Sequence, residues 1–194
     1  MARLFTAIEL STPTREAVAA RQRQIEAALH DAGDRTLRLV RPAQLHLTVA
    51  FIGEVDDGRV NAIEAAMADP ISIAPFRVDF GACGLFPEVG PPRVLWLEAV
   101  QGVPELVRLH STVCRRLQGT GVAIERRPYQ PHLTIGRWRA GARPSIRRTL
   151  PQAPWLVSEM VARVTLFRSR LSPDGAEHSV LLHTLLAGEA SPLH

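Results

Sequence analysis

Two rhythms of apolar residues alternate along this chain. Residues 4–10 and 94–100 read as strands, and each is followed by apolar positions at helical spacing. In the first helical stretch Thr12 is placed to cap, with Pro13 at the first helical position, Val18, Ile25 and Leu29 on the apolar face and Gly33 at the end. The second runs over residues 104–118, with Leu106, Val107, Cys114 and Leu117 on its apolar face, His110 among them, and Gly119 and Gly121 as stop signals. A short extended piece follows each helix, at residues 37–40 and 122–124, and leads into another strand. Further strand patterns cover 76–82, 161–167 and 179–186, and Val60, Ile63 and Met67 mark a helix over 58–68. This mixture is α+β. Segments rich in Pro and Gly fall at 86–93 and 140–144, too short to separate independent domains. Residues 1–194 are therefore expected to form one bilobal domain, with lobes of about 1–90 and 91–194 whose terminal strands are free to exchange.

The order of elements repeats because part of the sequence repeats. Arg41-Pro42-Ala43-Gln44-Leu45-His46-Leu47-Thr48-Val49 returns 86 residues later as Arg127-Pro128-Tyr129-Gln130-Pro131-His132-Leu133-Thr134-Ile135, identical at six of nine positions. On a strand, His46 and Thr48 face one way while Leu47, Val49 and Phe51 face the other; His132 and Thr134 are likewise set against Leu133 and Ile135. Packing explains why the apolar positions recur. It gives no reason for an imidazole and a hydroxyl to recur at the same spacing, so the repeat points to chemistry. An ordinary histidine titrates near neutral pH, so one copy can serve as base and the other as acid, while the threonine hydroxyls can donate to phosphoryl oxygens.

Charge changes this picture in one respect. The net charge is +4 and there is no lysine; residues 1–97 hold 10 Arg and 12 acids, whereas residues 98–194 hold 13 Arg and 7 acids. Seven arginines (126, 127, 137, 139, 143, 147 and 148) lie between 126 and 148 without an acid among them, a distribution suited to a polyanion. Cys83 and Cys114 are too few for a disulfide framework and read as buried thiols of a reducing compartment. No apolar run reaches membrane-spanning length and no export signal is visible, so a cytoplasmic protein without membrane partners is expected.

The paired His-x-Thr-x motifs, His46-Leu47-Thr48-Val49 and His132-Leu133-Thr134-Ile135, resemble those of the two-histidine (2H) phosphoesterase superfamily. Residues 3–8, Phe51-Ile52-Gly53-Glu54-Val55, Gly136-Arg137 and the stretch 169–176 are similar to bacterial RNA 2',3'-cyclic phosphodiesterases, also called 2'-5' RNA ligases. The resemblance implies two pseudo-symmetric lobes, each a small antiparallel sheet with helices on its outer face and an active cleft between them. It implies hydrolysis of 2',3'-cyclic phosphate at RNA ends or nucleotides to a 2'-phosphomonoester, without metal or cofactor, with minor 2'-5' ligation. His46 would be the proton donor and His132 the acceptor, Thr48 and Thr134 would hold phosphate oxygens, and Arg137 would bind substrate. A monomer is expected. His178 stands where the family often has tyrosine.

Two other readings compete. A non-catalytic module that binds RNA ends or nucleotide phosphates would use the same arginines, but has no need of paired acid-base groups. Zinc ligation by the histidines lacks any Cys, Asp or Glu recurring with the motif. Outside the motifs, His30, His110, His183 and His194 read as surface or packing residues, and Phe5 as core. Tyr129 is equally suited to stacking on a base and to covering a sheet edge.

Overall fold

The structure, a computed structural model, describes residues 1–123, 128–142, 150, 155–172 and 175–188. In chain order the elements are β1 (Ala2–Glu9), α1 (Thr12–Asp31), β2 (Leu37–Leu39), a 3₁₀ turn (Pro42–Gln44), β3 (His46–Val55), α2 (Asp57–Ala68), β4 (Phe76–Phe86), β5 (Val94–Gln101), α3 (Val103–Gln118), β6 (His132–Trp138), β7 (Val157–Val161), β8 (Arg163–Ser172) and β9 (Gly175–Leu185). The α+β pattern holds, with local differences. Ser11, not Thr12, is the N-cap of α1, and its backbone N–H and hydroxyl both donate to Glu159 on β7, at 2.8 and 2.9 Å. On α3 the buried stripe is Leu106, Leu109, Val113 and Leu117, the spacing of one helical face, while Val107 is turned outward and 41% exposed. Strand β7 has no clear apolar signature because the central inward position, between Val157 and Val161, is the buried Glu159.

The strands form one continuous nine-stranded sheet in the order β7-β4-β5-β6-β3-β1-β8-β9, with β2 beside β6. All the pairings between named strands are antiparallel. Two small sheets were expected; here the two sides, β7-β4-β5-β6 with β2 and β3-β1-β8-β9, form one sheet in which β3 and β6 meet through a single pair, Leu47 opposite Leu133. Strand β4 precedes the chain's midpoint yet pairs with β5, while β8 and β9 come back to pair beside β1.

The main core includes residues of all three helices and of the sheet, and both Leu47 and Leu133 are fully buried in it. A separate apolar cluster of Phe5, Ala7 and Phe167 belongs to the other side of the sheet, as the alternation with Leu4 and Ile8 requires.

Two of the register shifts in the sheet fall beside the motifs. Between β1 and β3, Ala7 is opposite Thr48 but Thr6 is opposite Ala50, so Val49 is passed over. Between β5 and β6, Trp96 is opposite Thr134 but Leu95 is opposite Gly136, so Ile135 is passed over in the same way. One extra residue reverses the facing of the positions that follow it, up to the next shift. Phe51, expected to be buried with Leu47 and Val49, is 51% exposed, and Arg137 is likewise turned out of the core.

The seam yields a stability prediction. Leu133→Ala should lower the free energy of unfolding by about 2–5 kcal/mol, the range for emptying a fully buried leucine site, whereas Val107→Ala should change it by less than about 0.5 kcal/mol. Denaturant titration measures both; equal effects would contradict a packed seam.

Candidate active site

Around the Leu47–Leu133 pair the two strands run in opposite directions, so the register carries His46 past Thr134 and Thr48 past His132. Leu47, Val49, Leu133 and Ile135 are buried on the core side, and the four polar residues, all half-buried, share the opposite face. The sequence-predicted set is thus brought together about an approximate two-fold axis.

The repeat extends to the hydrogen bonding. Nδ1 of His46 lies 2.7 Å from the carbonyl oxygen of Gln44, and Nδ1 of His132 lies 2.8 Å from that of Gln130. A carbonyl only accepts, so each Nδ1 carries the proton, and in the neutral ring Nε2 is left with its lone pair free. Gln44 is itself held, its side-chain amide donating to the Ala176 carbonyl of β9.

Aromatic rings enclose each imidazole. Phe5 lies 5.1 Å from His46 and stacks on Phe167 at 5.2 Å, and His178 meets His46 edge-on at 5.4 Å. Phe86 lies 5.1 Å from His132, edge-on, and stacks on Trp96 at 4.8 Å. Phe5, read from sequence as core, is buried in the small cluster with Ala7 and Phe167 and is also part of the site wall. Phe86, Trp96 and Phe167 carried no sequence signal, since the strand pairings that bring them to the histidines are non-local.

Burial among these rings disfavours the imidazolium. It is the main cause that pushes His46 down to about 4, with the nearby His178 and Arg137 charges acting in the same direction and the Gln44 carbonyl opposing. His132 is lowered by burial and by Arg137, against the Gln130 carbonyl. Arg137 therefore lies within electrostatic reach of both histidines, an arrangement that the Ile135 bulge makes available.

Other predicted residues fall outside this set. Tyr129 covers the bulged strand: its hydroxyl donates to the Thr48 carbonyl at 3.0 Å and its ring stacks on His110 at 4.3 Å, while His110 Nδ1 bonds the Val49 carbonyl. His183 bonds Thr165, and His30 is exposed. Arg126, Arg127, Arg143, Arg147, Arg148 and His194 lie outside the described residues. Among the described residues there is no group of three or more His, Cys, Asp or Glu that would hold a metal ion, and no helix is long and apolar enough to cross a membrane.

A family model described as the 2'-5' RNA ligase superfamily matches residues 13–170. An RNA 2',3'-cyclic phosphodiesterase of Methanothermobacter thermautotrophicus is 32% identical over 183 residues, covering 89% of this chain and 92% of its own. One from Archaeoglobus fulgidus is 32% identical over 135 residues, covering 70% and 72%. A crystal structure of a Thermus thermophilus protein superposes with a TM-score of 0.80 at 29% identity, covering 97% of this chain and all of that one. Escherichia coli LigT complexed with 3'-AMP superposes with a TM-score of 0.72 at 25% identity, covering 95% and 98%. This chain belongs to the 2'-5' RNA ligase superfamily of two-histidine phosphoesterases.

Proposed function

We propose that this protein hydrolyses the 2',3'-cyclic phosphate of RNA ends to a 2'-phosphomonoester, with His46 and His132 as its acid-base pair. The observation that carries the reading is the matched pair of Nδ1–H imidazoles on one face of the seam. The names of the relatives support a cyclic phosphodiester as substrate, and the LigT complex with 3'-AMP supports a nucleotide phosphate in such a cleft. Both cysteines are free thiols, which fits a cytoplasmic enzyme, and the site is assembled within a single chain, which fits a monomer.

In this mechanism Nε2 of His132 takes a proton from water as the water oxygen attacks phosphorus. The bond from phosphorus to O3' breaks, and protonated His46 gives its Nε2 proton to that oxygen. The phosphate stays on O2', and the histidines end with their protonation states exchanged. Thr48 and Thr134 donate to the non-bridging oxygens and Arg137 offsets the charge that grows on them. A ribose 5'-hydroxyl in place of water forms a 2'-5' linkage by the same step, a minor outcome in water. The depressed affinity of His46 for protons makes it a stronger acid toward O3', at the cost of fewer protonated molecules in the free enzyme. A bound phosphodiester anion restores that population.

His46→Ala and His132→Ala should each reduce turnover by at least roughly 100-fold with the fold intact, and Thr48→Ala and Thr134→Ala by about 10-fold. Near-normal turnover in either histidine variant would refute the pair. The pH profile of kcat/KM should be bell-shaped with its maximum below pH 6.5. Activity falls as rising pH removes the proton of His46, whose affinity is lowered to about 4, and falls again in acid as His132 becomes protonated. A flat profile from pH 5 to 9 would contradict both roles. Chromatography of the product of a nucleoside 2',3'-cyclic phosphate should show the 2'-monophosphate; a predominantly 3' product would reverse the donor and acceptor.

A further inference from the structure

Beside His46 lies an open pocket of about 280 Å³, and every residue lining it comes from the β1, α1, β3, β8 and β9 side of the site. Phe5, Phe167 and His178 give it ring surfaces, Glu9 and Glu177 give it carboxylates, and Arg15 of α1 stands in its wall. A second depression shares Arg15 and Ala43 with the first and continues along α1 past Ala19 to Arg23, with Glu16 also in its wall. Thr12, Arg15, Ala19 and Arg23 follow one another at three- and four-residue steps, which sets them on one helical face. The two arginines are separated by about 12 Å along the axis. The ion pairs among the described residues join Met1 to Asp57, Arg77 to Asp79, and Glu9 to Arg163 and His183; none uses Arg15 or Arg23.

These features bear on which way the substrate enters. If His46 protonates O3', the ribose carrying that oxygen lies on the His46 side of the phosphate, and so does its base. The pocket is on that side. Its stacked rings offer a base the apolar and π surface that single-stranded bases use. The depression that leaves the pocket then gives the rest of the strand a path, and guanidinium groups match the phosphates it carries.

We propose that the terminal nucleoside sits in this pocket and that the RNA leading to it runs along α1, with its upstream phosphates over Arg15 and Arg23. This deepens the proposed function and rests on it for the orientation of the ribose. It places the strand on α1, in the amino-terminal half of the chain. The preferred substrate is accordingly an oligonucleotide end, with the cyclic mononucleotide a poorer one.

The test compares a nucleoside 2',3'-cyclic phosphate with a short RNA ending in the same group. Arg23→Glu should raise KM for the RNA at least about 10-fold while leaving kcat and mononucleotide turnover unchanged, and Arg108→Glu, on exposed α3 surface, should change neither substrate. Binding is read separately, by anisotropy of a fluorescent RNA ending in a 2'-phosphate. Arg23→Glu should weaken it and lower the dependence on log salt by about one contact. Unchanged RNA KM and unchanged binding would overturn the path, as would an equal effect on the mononucleotide. A wild-type protein that binds the RNA through Arg23 but turns over neither substrate would refute the proposed activity and leave the path standing.

Discussion

One residue pair, Leu47 opposite Leu133, joins β3 to β6 and with them the two sides of the sheet. Both leucines are wholly buried among the helices' apolar side chains, and that burial is what the seam gains by forming. Because strand side chains alternate, anchoring the leucines inward turns their neighbours outward, and because the strands are antiparallel, those neighbours are His46, Thr48, His132 and Thr134 in crossed order. A one-residue slip of either strand would bury imidazoles and expose leucines. The packing that stabilises the sheet therefore also sets the geometry of the site.

The two-fold relation is approximate, and its departures divide the labour. Each half has a bulge at the equivalent residue, Val49 or Ile135, which turns the position two residues further along away from the core. In one half that position is Phe51, in the other Arg137. The cation is supplied once, from the His132 side, and depresses proton binding at both histidines. His46, which burial pushes down to about 4, faces Phe5, Phe167 and His178 and adjoins the pocket. A nearly symmetric frame thus presents one wall suited to a nucleoside and one cation suited to its phosphate.

The polar pair of each motif was legible in the sequence because a local repeat records it without any knowledge of pairing. The facing of Phe51 was misread, since a bulge is defined by the partner strand and leaves no mark in the alternation of β3 alone. For the same reason Arg137 was recognisable only through family resemblance. Phe5 is core as β1 read in isolation suggests, and its second part as site wall shows only once β3 and β8 are placed on either side of it. β7 escaped because its inward centre is Glu159, a carboxylate satisfied by Ser11 from 148 residues away. Helices α1 and α2, whose signals are local periodicity, were placed within a residue or two.

The central claim is that the seam holds two equivalent imidazoles with Nδ1 protonated and Nε2 turned to one phosphate. Nitrogen-15 NMR of the histidine rings measures this directly. At pH 7 the free protein should show His46 and His132 as neutral Nδ1–H tautomers that titrate below 6.5, and addition of a nucleoside 2'-monophosphate should convert one of them to the doubly protonated form. A neutral Nε2–H tautomer at either residue, or titration of both rings at or above 6.5 with no response to the nucleotide, would contradict the account.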